Sequence, residues 1–165
     1  MTYVEKDSDV CCPKFNPELW DEKTHNWKNK LFIKDTVPQI FHRPFPNSIK
    51  KTISKMWSLV VDAKANPEIK DFLLLAYDPS PWKSELYMTV TKEIPGAENI
   101  KMSGTYISKV FDGPYNAVPK WIIEMEDFVK SKNKKIKKHY FYFTTCPKCA
   151  KKYNHNYVVA LTQVE

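Results

Sequence analysis

The sequence predicts an α+β fold in which two βαββ repeats form a pseudo-twofold antiparallel sheet with both helices on one face. Two observations lead to this prediction. Strand and helix patterns follow one another in the same order twice, and the apolar positions of the two halves match at an offset of about 70 residues. A repeated supersecondary unit implies two packed copies, because neither copy can bury its apolar face alone. We expect a cleft where the copies meet.

The first repeat is predicted over residues 37–95. A stretch that prolines interrupt and end indicates the first strand, and apolar residues at helical spacing predict a helix with Ile49, Ile53, Met56 and Val60 on one face. A continuous apolar run and its return after a proline-rich turn predict a hairpin. The predicted elements are a strand at 37–45, a helix at 48–64, and strands at 72–77 and 86–94.

The second repeat, over residues 104–165, has the same order. The segment FHRPF at 41–45 matches FDGPY at 111–115, so that His42 stands where Asp112 stands. The helical apolar face also matches, with Val118, Ile122 and Met125 among its members. The predicted elements are strands at 105–111, 139–144 and 157–164, and a helix at 118–132.

Residues 1–36 lack a sustained period of 2 or 3.6 and are expected to form an ordered N-terminal arm. Trp20 and Trp27 should pack on the body of the protein, since exposed tryptophans forfeit a large apolar contact area. A short helix over residues 18–30 is compatible with the pattern. The length of 165 residues fits one domain over residues 37–165.

The charge and the motifs exclude several classes of function. The formal charge is +7, but Arg43 is the single arginine, and base reading favours arginine. Sequence-specific nucleic-acid binding is therefore not expected. Three glycines cannot form a glycine-rich phosphate loop. Residues 1–10 hold no apolar run typical of a secretory signal, and no stretch would span a membrane, so a cytoplasmic location is expected.

The four cysteines leave three interpretations open. Cys146 and Cys149 have the spacing of two zinc ligands, and Cys11 with Cys12 could complete a structural zinc site. A redox-active thiol pair is the rival, but such pairs usually lie at the start of a helix, and the pattern here predicts a hairpin turn. The third interpretation is that the cysteines are plain structural residues.

Aromatic residues around one carboxylate form the candidate binding site. Trp82, Glu85 and Tyr87 flank the first hairpin, and Tyr115 and Trp121 flank the second helix. Glu85 and Tyr87 are two apart on a predicted strand, so their side chains point to the same face. A buried glutamate there could pair with a cationic ligand or hold a water for attack, its pKa raised by desolvation. A solvated Glu85 beside core aromatics is the plain structural alternative.

The segment KVFDGPY at residues 109–115, leading into the helix with Trp121, resembles the gyrase-inhibitor-like (GyrI-like) small-molecule-binding domain. The resemblance covers about residues 37–164 and implies binding of hydrophobic, often cationic, planar compounds. Members often carry a glutamate in the closing hairpin, where Asn156 stands here. The subgroup that consists of this domain alone resembles hydrolases that open a strained cyclopropane ring. The absence of a helix-turn-helix pattern argues against a transcription factor.

The sequence and this resemblance together predict a protein that binds a hydrophobic small molecule in an aromatic cleft and either sequesters it or hydrolyses it as a strained electrophile, with no required cofactor apart from the structural zinc considered above. Glu85 and Tyr87 are the expected catalytic residues, and the expected ligand-binding residues are Tyr115, Trp121, Trp82, His42 and Asn156. The alternative is a non-enzymatic interaction protein, associated with gyrase or nucleic acid, with a zinc-stabilised hairpin.

Overall fold

The computed structural model describes residues 14–145 and 147–165. It confirms an α+β fold with antiparallel strand pairing. The elements, in chain order, are β1 (Lys23–Ile40), β2 (Arg43–Pro44), α1 (Ser48–Asp62), β3 (Leu74–Ser80), β4 (Lys83–Thr89), β5 (Glu98–Asp112), α2 (Val118–Ser131), β6 (Ile136–Phe143), α3 (Pro147–Tyr153) and β7 (Tyr157–Val164).

The chain divides into two compact units. The central unit is Lys28–Ser103, and the terminal unit combines the described residues up to Trp27 with Gly104–Glu165. The chain passes between the units along β1 and β5, which both contribute to each unit.

In the central unit, β4 pairs antiparallel with both β1 and β3. Strand alternation directs Ile33, Val37, Leu86 and Met88 to one face, where they pack with Met56 and Val60 of α1. The apolar stripe predicted for this helix is therefore the one that is buried, except that Ile49 at its start remains exposed. The opposite face carries the side chains considered below.

In the terminal unit, β7 pairs antiparallel with both β5 and β6. Ile107, Phe111, Val158 and Ala160 share one face and pack with Trp121, Met125 and Val129 of α2. On the other face, Trp27 lies 4.5 Å from Tyr106 and Trp20 lies 6.2 Å from Tyr142, measured between ring centroids. The expected packing of both N-terminal tryptophans is confirmed.

Both long helices end in the same way. Lys64 follows α1 with a φ of 53°, and Asn133 follows α2 with a φ of 57°. The next amide then donates back to the last turn, from Ala65 to the carbonyl of Val60 and from Lys134 to that of Val129. A left-handed residue after a helix turns the chain toward the next strand.

The structure corrects three expectations about local elements. The short helix over residues 18–30 is wrong: only a single 3-10 turn, Pro17–Leu19, precedes β1, which already begins at Lys23. The expected boundary between arm and domain at residue 36 lies inside this strand. The segment read as a hairpin turn near Cys149 contains helix α3.

Each unit contributes strand, helix, strand, strand in chain order, with α3 inserted in the second set. The pseudo-twofold axis and the placement of both helices on one face stay predictions. None of the helices described combines the length and apolar character needed to cross a bilayer.

Candidate functional site

The face of the central sheet opposite α1 carries several polar residues among buried apolar ones. Glu85 and Tyr87 lie on β4 two residues apart, and the register places Lys34 of β1 directly opposite Tyr87. Phe32 and Leu75 belong to the same face and are fully buried. Strand alternation, as expected from the sequence, is what brings Glu85 and Tyr87 together.

The Glu85 carboxylate is held by two neighbours. The Tyr87 hydroxyl donates a hydrogen bond of 2.6 Å to Oε2, and the Lys34 ammonium lies 3.0 Å from Oε1. The same ammonium lies 3.7 Å from Oε1 of Glu98 on β5. We call Lys34, Glu85, Tyr87 and Glu98 the Glu85 cluster.

The cluster runs from the buried face toward solvent. Glu85 is 8% exposed and Tyr87 is 5% exposed, whereas the Glu98 side chain is 59% exposed. Lys34 lies between them, with its ammonium shared by a buried and an exposed carboxylate. The plain alternative of a solvated Glu85 is therefore wrong.

Burial by itself would raise the pKa of Glu85. The hydrogen bonds from Tyr87 and Lys34, together with the charges of Lys34 and Lys83, outweigh it and lower that pKa below its usual value. The hydrogen bond to Glu85 in turn raises the pKa of Lys34, against the lowering effect of burial. The expectation of a raised Glu85 pKa is thus corrected: the site holds a carboxylate and an ammonium, both ionised at neutral pH.

The other two expected ligand residues of the central unit lie in its turns. Trp82, between β3 and β4, is exposed and packs on Phe41 at 5.3 Å between ring centroids. The Nδ1 atom of His42 lies 2.7 Å from Oδ2 of Asp78. Gln39 also donates to this carboxylate, so the turn residues form a hydrogen-bonded group of their own.

Two of the ligand-binding residues expected in the terminal unit form hydrogen bonds to backbone carbonyls of its loops. The Tyr115 hydroxyl donates to the carbonyl of Thr145 at 3.3 Å. The Asn156 side-chain amide donates to the carbonyl of Gly113 at 2.6 Å, while its buried Oδ1 has no partner within the part of the chain described.

Trp121 belongs to the core of the terminal unit. It is buried and stacks on Phe111 at 5.4 Å between ring centroids. Gly113 lies against it, since a Cβ there would come within 3.3 Å of the indole ring. The structure thus gives Trp121 a packing role.

The metal expectation stays a prediction, because Cys11, Cys12 and Cys146 lie outside the described residues. Cys149 is buried in α3. Within residues 14–145 and 147–165, no three histidine, cysteine or acidic side chains form a metal-binding group.

Lys34 and Glu98 were not identified from the sequence as site residues. Lys34 directly follows the apolar run Leu31-Phe32-Ile33, and this position is the signal that could have revealed it. A charged side chain on a partly buried strand requires a partner. A separate cavity of about 290 Å³ in the central unit is lined by Lys30, Leu31 and Thr91 among others, and the Glu85 cluster does not line it.

A family model described as bacterial hydrolase matches residues 2–164. The chain belongs to this bacterial hydrolase family. The expected resemblance to GyrI-like domains holds at the level of the fold. No curated protein matches the chain significantly in sequence.

Solved structures share the fold at low identity. The EcmrR C-terminal domain has a TM-score of 0.63 and 14% identity, covering 89% of this chain and 98% of that one. A hydrolase from Listeria innocua has a TM-score of 0.60 and 8% identity, covering 88% and 92%. SAV2435, solved bound to tetraphenylphosphonium, has a TM-score of 0.51 and 12% identity, covering 88% and 94%.

Proposed function

We propose that this hydrolase-family member binds a hydrophobic small molecule at the Glu85 cluster and adds water to a strained, electrophilic ring. The observation that carries the proposal is the 2.6 Å hydrogen bond from Tyr87 to Glu85 on a buried face. It couples a proton acceptor to a proton donor where apolar side chains exclude bulk water. General acid–base catalysis requires such a pair.

Glu85 and Tyr87 supply all the proton transfers that the proposed reaction requires. Glu85 accepts a proton from water while the water oxygen bonds to a carbon of an activated cyclopropane. The ring C–C bond breaks, its electron pair forms an enolate on the adjoining ketone, and Tyr87 protonates the enolate oxygen. The protonated Glu85 then returns its proton to the Tyr87 phenolate along their hydrogen bond. The net change is the addition of one water.

Lys34 affects the strength of Glu85 as a base. While the ammonium contacts Oε1, the pKa of Glu85 is low and the carboxylate is a weak base. A ligand that moves Lys34 toward Glu98 would remove this effect and raise the pKa of Glu85 toward the range useful for catalysis. Ligand binding and activation of the base are coupled in this proposal.

The comparisons support hydrolysis and the binding of a small organic molecule. The family description and the Listeria innocua protein name hydrolases, and SAV2435 was solved with an organic ligand of aromatic rings. Phe32 and Leu75 would supply apolar contacts beside Glu85. We place the activity in the cytoplasm, as the sequence predicts.

The test is turnover of an activated cyclopropane conjugated to an aryl ketone. Glu85→Gln should still bind the compound, because its shape and most hydrogen bonding are kept, but should lose ring opening measured by chromatography. Glu93→Gln is the matched control and should retain turnover, since that carboxylate is largely exposed and pairs with Lys101, outside the Glu85 cluster. Unchanged turnover in Glu85→Gln would assign the chemistry to another group.

The sequence also predicted an alternative, a non-enzymatic interaction protein. Wild-type protein that neither binds nor opens activated cyclopropanes, yet retains a binding partner from the cell, would favour that alternative.

A further inference from the structure

The carboxylate that an organic cation would need is already occupied by a cation of the protein itself. The Lys34 side chain is 19% exposed, and its ammonium lies 3.0 Å from Glu85 Oε1. The other oxygen, Oε2, accepts the hydrogen bond from Tyr87. Each oxygen of the Glu85 carboxylate therefore has a resident partner.

A bound organic cation would face Lys34 as a like charge. To contact Glu85, it would have to come within a few ångströms of the ammonium or displace it. Like charges placed together on a partly desolvated face cost several kcal/mol, so both routes weaken binding. A neutral molecule meets no such repulsion.

Glu98 gives Lys34 a second resting position. Its Oε1 lies 3.7 Å from the ammonium, and its side chain is 59% exposed. Lys34 can therefore shift outward to make room for a ligand while keeping a carboxylate partner. Its positive charge then stays beside the bound molecule, where it repels a cation but not a neutral compound.

From this geometry we infer that Lys34 determines the ligand class of the Glu85 cluster, excluding organic cations and admitting neutral electrophiles. The inference rests on the proposed function, because it concerns the ligand of the same site. It separates this chain from a cation binder that shares its fold, and Lys34 acts as a specificity-determining residue.

Two phenyl-bearing phosphorus compounds, one cationic and one neutral, test this inference. Tetraphenylphosphonium is the cation, and triphenylphosphine oxide is the neutral compound. Binding of each is measured by calorimetry. Wild-type protein should prefer the neutral probe, and this measurement needs no variant to fold.

Lys34→Met removes the ammonium and keeps an unbranched apolar stem. This variant should bind tetraphenylphosphonium at least about tenfold more tightly than wild type, with little change for the neutral probe. Lys34→Arg keeps the positive charge and should show no gain. Lys55→Met is the matched control: Lys55 pairs with Asp35, whose register places it on the other face of β1, and the binding preference should not change.

Adding Glu85→Gln to Lys34→Met should abolish the gain, because the carboxylate that attracts the cation is gone. The inference is overturned if the wild type binds the two probes equally. It is also overturned if the folded Lys34→Met variant prefers the neutral probe as strongly as the wild type does. The proposed function fails independently of the inference if Glu85→Gln retains ring opening while Lys34→Met still binds tetraphenylphosphonium more tightly than the wild type. Binding of neither probe by any variant would overturn the inference but not the proposed function, which is tested by ring opening of a different compound.

Discussion

Glu85 and Tyr87 lie two residues apart on one strand, and a 2.6 Å hydrogen bond joins their side chains. Within a strand, such neighbours share a face but do not ordinarily bond to each other. Here the buried carboxylate would be left with a costly unsatisfied oxygen without the phenol. The hydrogen bond is thus needed to bury the Glu85 carboxylate on this face. In our proposal, the same two residues are the acid–base pair.

Replacing the phenol tests its part as proton donor. Tyr87→Phe should reduce ring opening by roughly 10²–10⁴-fold, the usual contribution of a positioned acid. It should also raise the pKa of Glu85, since one of the hydrogen bonds that lower it is lost. The acid limb of the pH–rate profile should move to higher pH. Tyr157→Phe, a half-buried tyrosine of the terminal unit, serves as the control. Full activity in Tyr87→Phe would mean that another group supplies the proton.

The Lys34–Glu85 pair should make stability depend on pH. Folding lowers the pKa of Glu85, so its contribution is present above the range where an unfolded glutamate titrates, about pH 4.3, and is lost as the pH falls through the lower folded pKa. Folding raises the pKa of Lys34, so its contribution is present below about pH 10.4 and is lost as the pH rises through the higher folded pKa.

Urea unfolding measures this effect. Glu85→Gln should cost about 1–3 kcal/mol at pH 7 and less at a pH below the lowered folded pKa of Glu85, where the carboxylate of the wild type is also protonated. Glu22→Gln is the control, because the Lys109–Glu22 pair is largely exposed and such pairs contribute little. An equal loss at both pH values would contradict the predicted role of charge.

The two tryptophans expected in the ligand site should behave differently. Trp121→Ala removes a buried ring that stacks on Phe111 and should destabilise the protein by about 3–5 kcal/mol. Trp82→Ala should change stability by no more than about 0.5 kcal/mol, because 59% of Trp82 is exposed. Thermal unfolding measures both. A stable Trp121→Ala that only loses ligand would restore the binding role predicted from the sequence.

Metal analysis decides the zinc prediction. If the cysteines hold zinc, purified protein should contain about one metal per chain, and Cys146→Ser should release it and lower the stability. Cys149→Ser is less informative, since Cys149 is buried and its replacement disturbs packing in any case. Metal-free protein of unchanged stability would leave the cysteines as structural or redox residues.

The sequence was most informative where one periodicity dominates. Helix α1 begins at the predicted residue 48 and α2 at the predicted residue 118, and β7 has the predicted bounds 157–164. In the two helices, burial on one side leaves a regular apolar pattern, whereas β7 is a short strand buried along almost its whole length. The juxtaposition of Glu85 and Tyr87 followed from the same reasoning.

The remaining features depend on contacts that no local pattern contains. β1 begins at Lys23, but its first half alternates weakly, because tryptophans and His25 pack there rather than aliphatic residues. Lys34 was missed because its partner Glu85 lies 51 residues later in the chain, on another strand. Helix α3 has only seven residues, too few to show a helical repeat.

The central unit is one uninterrupted stretch of chain, whereas the terminal unit combines a segment before it with a segment after it. During synthesis, the Glu85 cluster therefore leaves the ribosome complete before β6 and β7 exist. At the usual rate of translation, the part from Gly104 onward takes about 3–12 s to emerge. Tyr106, the partner of Trp27, is made at the start of that interval, whereas Tyr142, the partner of Trp20, is made only with β6. The nascent protein thus contains every residue of the Glu85 cluster while Trp20 still lacks its aromatic partner from β6.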